Sequence, residues 1–138
     1  MTTIGQRRSG TSRQRLLWLL CICDAALLVA SGLFHLHLWD IAYRNVPTLR
    51  YLFLVQVAAT LLFAVALLVL RRLIVVLASL ALMVGTIAGF IMARTVGIFG
   101  FKDPSSTTLA IEVLVVELAA IVALATTAWL IRGRTSQS

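Results

Sequence analysis

Long apolar runs separated by short polar segments account for almost the whole chain. The four runs cover residues 16–34, 51–70, 73–93 and 109–131, and each approaches the roughly 20 residues that a helix needs to cross the hydrocarbon core of a bilayer. The runs are apolar nearly all round, whereas a helix on a soluble core carries a polar face with a period of about 3.6 residues. The pattern therefore predicts an all-α membrane protein with four transmembrane helices in an antiparallel bundle.

The short polar segments set the boundaries of this predicted domain. Residues 1–14, which are rich in Ser, Thr, Gly and Arg, are predicted to form a disordered basic tail, and residues 133–138 a second tail. Arg71 and Arg72 alone connect the second and third runs, which predicts a tight antiparallel hairpin. The transmembrane domain then occupies residues 15–132, with spans at about 16–38, 49–70, 73–94 and 107–131.

Composition and charge agree with this class and add an orientation. Apolar residues make up 61% of the chain and charged residues 12%, against about 25% charged residues in a soluble domain. The net charge of +7 predicts no nucleic-acid surface, because the twelve Lys and Arg residues lie at the ends of the apolar runs. Four of them precede the first span, two form the hairpin turn and two follow the fourth span, so the positive-inside rule places both termini on the cytoplasmic side of the plasma membrane.

The third apolar run carries small residues on one face. Ala81, Gly85, Gly89 and Ala93 follow one another at strict four-residue spacing. In a membrane, such a stripe lets two helix backbones approach closely, and dispersion then holds them together. The stripe predicts a helix–helix contact, whose partner is within the chain, in another copy or in a different membrane protein.

Acidic residues within the apolar runs are the candidate functional groups, because a charge there costs at least about 2.5–3.5 kcal/mol on insertion scales. Glu117 lies about eleven residues into the fourth span, or roughly 16 Å deep at about 1.5 Å per residue. Glu112 lies about 140° around the same helix from Glu117. Asp24, Ser31 and His35 fall at i, i+7 and i+11, which is one stripe of a helix and is predicted to face the bundle interior.

These residues are compatible with three chemistries. In the first they are structural, and hydrogen bonds among them fix the helix register at about 0.6 kcal/mol per pair. In the second, Glu117, Glu112 and Asp24 form a proton or cation path together with Gln56 of the second span.

The third chemistry is a metal or haem site. It would use His35 and His37 with Asp40, because imidazole and carboxylate groups suit Zn and other first-row divalent ions. His-x-His on a helix is a poor chelate, and haem b requires histidines from two helices, which this chain supplies only as a homodimer. No cofactor is therefore expected, although a metal or haem stays an open alternative.

Three function hypotheses follow. The chain shows no nucleophile–base set, no phosphate loop and no sizeable soluble domain. We therefore expect a non-enzymatic protein of the lipid bilayer, acting as an accessory or partner subunit of a membrane assembly. The alternatives are a small homodimeric proton-coupled transporter centred on Glu117, and a metal- or haem-binding membrane protein.

Two polar stretches of the sequence carry a resemblance. They are HLHLWDIAYRNVPTLRYLFLVQ at 35–56 and GIFGFKDP at 97–104, and they precede the span with Glu112 and Glu117. Together they resemble small four-span membrane proteins of actinobacterial type over most of the chain, which implies the fold and brings no activity or site. Small multidrug resistance transporters place their intramembrane Glu in the first span, where this chain has Asp24, and no motif of DoxX-like proteins is matched. Neither of these two families is adopted.

Overall fold

The fold consists of four long helices. A computed structural model describes residues 4–98, 100, 102 and 108–135, with side chains for 12–98, 100, 102 and 108–133. The helices are α1 (Ile4–Leu38), α2 (Leu49–Leu70), α3 (Leu73–Thr95) and α4 (Thr108–Thr135), and α1 continues into a π-helical segment, Trp39–Tyr43. All four are long and apolar enough to cross a membrane. The predicted all-α four-helix membrane fold is confirmed.

The helices form an up-down-up-down ring. α1 packs against α2 and α4, and α3 packs against α4 and α2, while the two diagonal pairs are not in contact within the described residues. The contact between α2 and α3 is the smallest of the four. We call the end that carries Arg71 and Arg72 the turn end, and the end that carries residues 39–48 the loop end.

The hairpin between α2 and α3 is as tight as the sequence predicts. Arg71 ends α2 in the left-handed conformation, with φ 47° and ψ 38°, and Arg72 is extended before α3 begins at Leu73. A non-glycine residue rarely adopts the left-handed region. A two-residue connection requires this conformation because the chain must reverse at once.

α1 begins earlier than its predicted span. The helix starts at Ile4 rather than near residue 16, so it includes most of the segment predicted as a disordered tail. Arg and Gln are good helix formers, and no Pro interrupts residues 4–38. Because an existing helix adds residues at low cost, the apolar span can extend into the basic segment.

The buried side chains of each helix follow a coiled-coil spacing. In α1 the buried positions recur at alternating intervals of three and four, through Leu17, Cys21, Asp24, Leu28, Ser31 and His35. In α4 they do so through Val113, Glu117, Ala120, Leu124 and Thr127. An average interval of about 3.5 residues keeps one seam facing the neighbouring helices. The prediction that Asp24, Ser31 and His35 face the interior is confirmed, since all three are buried.

A continuous apolar core fills the half of the bundle near the turn end. Every helix contributes to it: Ala25, Leu28, Ala64, Leu67, Val75, Val76, Met83, Ala120, Leu124 and Ala128. Most of these residues are small or β-branched, so the helix axes come close. Since lipid tails are as apolar as these side chains, dispersion rather than water exclusion holds this core together.

Two helices approach closely at Gly32, which the sequence analysis does not single out. A Cβ atom on Gly32 of α1 would lie 2.6 Å from Thr60 Oγ1 of α2, so α1 and α2 meet here only because residue 32 has no side chain. Around Gly85 and Gly89, a Cβ atom would meet no other atom within 4 Å. The predicted contact at the stripe of small residues is therefore not made by the described part of this chain. The stripe provides open space.

Candidate functional site

A cavity of about 450 Å³ occupies the half of the bundle near the loop end. All four helices and the π-helical segment contribute to its wall, which is mostly apolar. The polar, charged and aromatic side chains in the wall are His35, Tyr43, Phe53, Gln56, Thr86, Phe90, Arg94 and Glu117. The stripe Ala81, Gly85, Gly89 and Ala93 lines the cavity on the α3 side. Absent side chains on α3 therefore create the space.

The cavity is reached from between α2 and α3. Leu52 and Val55 of α2 line it, and both are also exposed on the outside of the bundle, Val55 by 64%. Gln56 Nε2 donates a hydrogen bond of 2.7 Å to Thr86 Oγ1, which links the two helices at mid-height. Below this bond, towards the turn end, α2 and α3 share the apolar core.

The deepest polar group in the cavity is the carboxyl group of Glu117. Its side chain is only 2% exposed, and its Oε1 atom accepts no hydrogen bond. Buried polar atoms without a partner are rare in proteins, and each requires a physical explanation. Here the carboxyl group lines a cavity, so a bound molecule or proton can supply the missing partner.

His35 faces Glu117 from α1. Its Nε2 atom lies 3.6 Å from Glu117 Oε1, and the imidazole is also buried. On the other side of the ring, Nδ1 lies 2.8 Å from the carbonyl oxygen of Ser31. A carbonyl oxygen only accepts hydrogen bonds. The Nδ1 atom must therefore carry a proton and donate it to Ser31.

Aromatic rings connect the loop end with this pair. Tyr43 of the π-helical segment stacks on Phe53 of α2, with ring centroids 4.5 Å apart. Phe53 in turn lies 5.5 Å from the His35 ring. The π-helical segment thus brings Tyr43 back over the start of α2, which covers this side of the cavity.

A second buried carboxyl group lies outside the cavity. Asp24 is fully buried, and Thr127 Oγ1 of α4 donates a hydrogen bond of 2.7 Å to its Oδ2 atom. The Oδ1 atom of Asp24 and the Oγ atom of Ser31 have no partner. Asp24 therefore joins α1 to α4 in the packed half, apart from the Glu117–His35 pair.

Several predicted site residues are not brought together. Glu112 and His37 are exposed at the bundle surface, and Asp40 pairs instead with Arg44 at 3.4 Å, where both are exposed. His35 is buried whereas His37 and Asp40 are exposed, because residues two apart on a helix face different directions; the metal site of these three residues stays a prediction. Within the parts of the chain that the structure describes, no three His, Cys, Asp or Glu side chains are placed to share a metal ion.

The segment after α3 is described only in part. Ile98 lines the cavity. Phe99, Phe101 and residues 103–107 lie outside the described residues.

A search against protein families, curated proteins and solved structures finds no match for this chain. The resemblance to four-span proteins of actinobacterial type therefore stays a prediction. What the chain does has to be argued from its cavity.

Proposed function

We propose that this multi-pass membrane protein is a small proton-coupled carrier. It binds a largely apolar molecule in the cavity whose deepest polar group is Glu117. The observation that carries the proposal is the buried Glu117 carboxyl group, whose Oε1 atom has no hydrogen-bond partner and lines the cavity. Carboxyl groups at this depth in a membrane are expensive and mark substrate or proton pathways. Asp24 Oδ1 also lacks a partner, but Glu117 differs from Asp24 in that it lines the cavity.

The size and wall of the cavity support this proposal. Its volume of about 450 Å³ lies within the range of roughly 300–1,000 Å³ that is typical of small-molecule sites. Such sites combine apolar walls with a few convergent polar groups. Here those groups are Glu117, His35 and the Gln56–Thr86 pair.

The carrier proposal differs in one respect from the homodimeric transporter expected from the sequence. The four helices of one chain form the cavity and supply both members of the Glu117–His35 pair. A second copy is therefore not required to complete the site. We further propose the plasma membrane as the location, with both termini cytoplasmic, because eight of twelve basic residues lie at the turn end or in the tails.

Glu117→Gln tests the carrier proposal. Proteoliposomes that contain a pH-sensitive dye are exposed to a panel of small aromatic compounds, both neutral and charged. We expect at least one compound to drive a proton flux in the wild type and no flux in Glu117→Gln, because the amide cannot exchange a proton. Glu112→Gln is the matched control, since Glu112 is exposed on the same helix. Equal flux in Glu117→Gln and the wild type would contradict the proposal.

A second candidate function is the accessory subunit. The observation that favours it is the open α3 face at Gly85 and Gly89, where a helix of another membrane protein could approach closely. The mass of the intact complex in a mild detergent separates the two functions. A defined complex that Gly89→Leu disrupts and Glu117→Gln preserves would establish the subunit role. A monomer that binds small molecules would establish the carrier.

A further inference from the structure

We propose that the substrate of this carrier is a monovalent organic cation, which displaces one proton from the Glu117–His35 pair when it binds. The inference rests on the proposed carrier function and names its substrate class and its exchange ratio. It follows from the geometry of the two side chains, the aromatic wall of the cavity and the charges around them.

The hydrogen bond of His35 to Ser31 determines where the first proton lies. Because Nδ1 donates to the Ser31 carbonyl oxygen at 2.8 Å, a neutral imidazole has an unprotonated Nε2 atom. That atom faces Glu117 Oε1 at 3.6 Å. If Glu117 were ionised as well, two acceptor atoms would face each other in a site that water hardly reaches. One further proton must therefore lie between the two residues, either on Glu117 or on His35 Nε2.

With this shared proton, the pair has no net charge in either arrangement. A neutral carboxyl beside a neutral imidazole and a carboxylate beside an imidazolium both sum to zero. A buried charge without a counter-charge is strongly unfavourable in an apolar environment. The anionic form of the pair therefore requires a positive charge directly beside it. A monovalent cation supplies that charge, and the shared proton leaves to water.

The aromatic wall favours a cation over a neutral molecule. Tyr43, Phe53 and Phe90 line the cavity, and ring faces attract organic cations within about 6 Å. The Arg94 guanidinium already lies 5.4 Å from the Phe90 ring. Phe53 lies directly beside His35, with ring centroids 5.5 Å apart, and stacks on Tyr43, so aromatic rings border the position of the cation next to the pair.

The other charged or titratable groups around the pair leave this charge balance unchanged. α1 presents His35, α4 presents Glu117, α2 presents the uncharged Gln56, the π-helical segment presents Tyr43, and α3 presents Arg94. Arg94 is eight residues beyond Thr86, or roughly 12 Å closer to the loop end at about 1.5 Å per residue. Its guanidinium lies over the Phe90 ring, 5.4 Å from the ring centroid, and Phe90 is itself four residues beyond Thr86 towards the loop end.

Benzyltrimethylammonium and its neutral isostere neopentylbenzene test the inference with the purified full-length chain in detergent. Titration calorimetry at one pH in two buffers of different ionisation enthalpy counts the protons released. We expect the cation to bind with release of one proton and the isostere to bind at least about tenfold more weakly. Because a proton is displaced, the dissociation constant of the cation falls about tenfold per unit rise in pH while the pair carries one proton.

Variants assign the released proton to the pair. Glu117→Gln abolishes both proton release and preference for the cation, whereas Glu112→Gln behaves as the wild type. Far-UV circular dichroism and gel filtration confirm that Glu117→Gln is folded. Binding of the cation without proton release, or equal binding of the isostere, overturns the inference and leaves the carrier proposal standing. If neither compound binds to the wild type, the cavity is not a binding site and both proposals fail.

Discussion

The two halves of the bundle are made by the same four helices and differ in how their interiors are filled. Near the turn end, Val75, Val76 and Met83 of α3 project into a continuous apolar core. Near the loop end, the same helix presents Gly85, Gly89 and Ala93, and a cavity of about 450 Å³ remains. The difference shows that side-chain size along one helix separates a half that is packed from a half that contains a cavity.

The polar groups divide in the same way. In the packed half, the Asp24 carboxyl group accepts a hydrogen bond from Thr127, which ties α1 to α4. In the open half, Glu117 Oε1 accepts none and faces His35 across 3.6 Å. Asp24 Oδ1 has no partner either, but of the two carboxyl groups only that of Glu117 lines the cavity. We therefore propose cohesion as the role of the first group and exchange as the role of the second. Four substitutions test this division, in order of decreasing effect on stability.

Leu124→Ala probes the packed half. Leu124 is fully buried in the core near the turn end, and truncating a buried Leu to Ala costs about 2–5 kcal/mol in well-packed interiors. We expect a loss of this size in the free energy of unfolding, measured by denaturation in mixed micelles. Leu118→Ala on the same helix is the control, because Leu118 is 49% exposed. A similar small loss in both variants would show that the core near the turn end contributes no special stability.

Gly32→Ala probes the closest contact between α1 and α2. The added Cβ atom would lie 2.6 Å from Thr60 Oγ1, so we expect a loss of about 1–3 kcal/mol from overpacking. The double variant Gly32→Ala with Thr60→Ala removes the clashing oxygen and should recover part of that loss. Gly85→Ala, measured by the same denaturation, should be close to neutral because that position has open space. Equal losses at the two glycines would contradict the assignment.

Thr127→Val removes the hydrogen bond to Asp24 at nearly constant side-chain volume. Polar pairs between membrane helices contribute about 0.6 kcal/mol on average and up to about 1.7 kcal/mol. We expect a stability loss in this range and unchanged binding of cations in the cavity. Thr126→Val is the control, since its hydroxyl bonds only to the Val122 carbonyl of its own helix. Altered binding in Thr127→Val would connect the two carboxyl groups functionally.

Gly89→Leu fills the open half. No atom lies within 4 Å of the position of its Cβ, so we expect a stability change within about 0.5 kcal/mol, as for surface substitutions. Binding of benzyltrimethylammonium should be lost, because the new side chain occupies the cavity. The expected pattern is thus the reverse of that for Leu124→Ala. Undiminished binding in a folded Gly89→Leu protein would place the binding site elsewhere.

Much of the fold is readable from the sequence because lipid imposes a simple rule. Backbone polar groups must be satisfied within each segment, so an apolar run of about 20 residues becomes a helix. Arg71 and Arg72 leave no alternative to a hairpin, and the stripe of Asp24, Ser31 and His35 identifies the inner face of α1. The helical start at Ile4 is not predicted, because the basic tail has no apolar run and only its continuity with α1 makes it helical.

The candidate site is harder to predict, because it depends on which residues of neighbouring helices lie at the same depth in the membrane. The predicted first span ends at residue 38, which places His35 at the edge of the membrane. In the structure the helical segment continues to Tyr43, so His35 lies eight residues inside it. Glu117 is nine residues inside α4, so the two side chains meet at similar depth. The spacing of small residues alone does not distinguish Gly32, which packs, from Gly89, which faces a cavity. Only the buried positions of all four helices together distinguish these two glycines.

The two-residue turn at Arg71 and Arg72 makes α2 a lever that is joined to α3 at one end. At about 1.5 Å per residue, the 22 residues of α2 form a lever arm of roughly 33 Å. A tilt of about 5° at the turn therefore displaces the far end by roughly 3 Å, with the length of α2 as the radius. Gln56 lies 15 residues from Arg71, or roughly 22 Å from the turn, so the same tilt moves it by roughly 2 Å relative to Thr86, its hydrogen-bond partner at 2.7 Å. A rotation of a few degrees about the turn is therefore enough to break the hydrogen bond between Gln56 and Thr86.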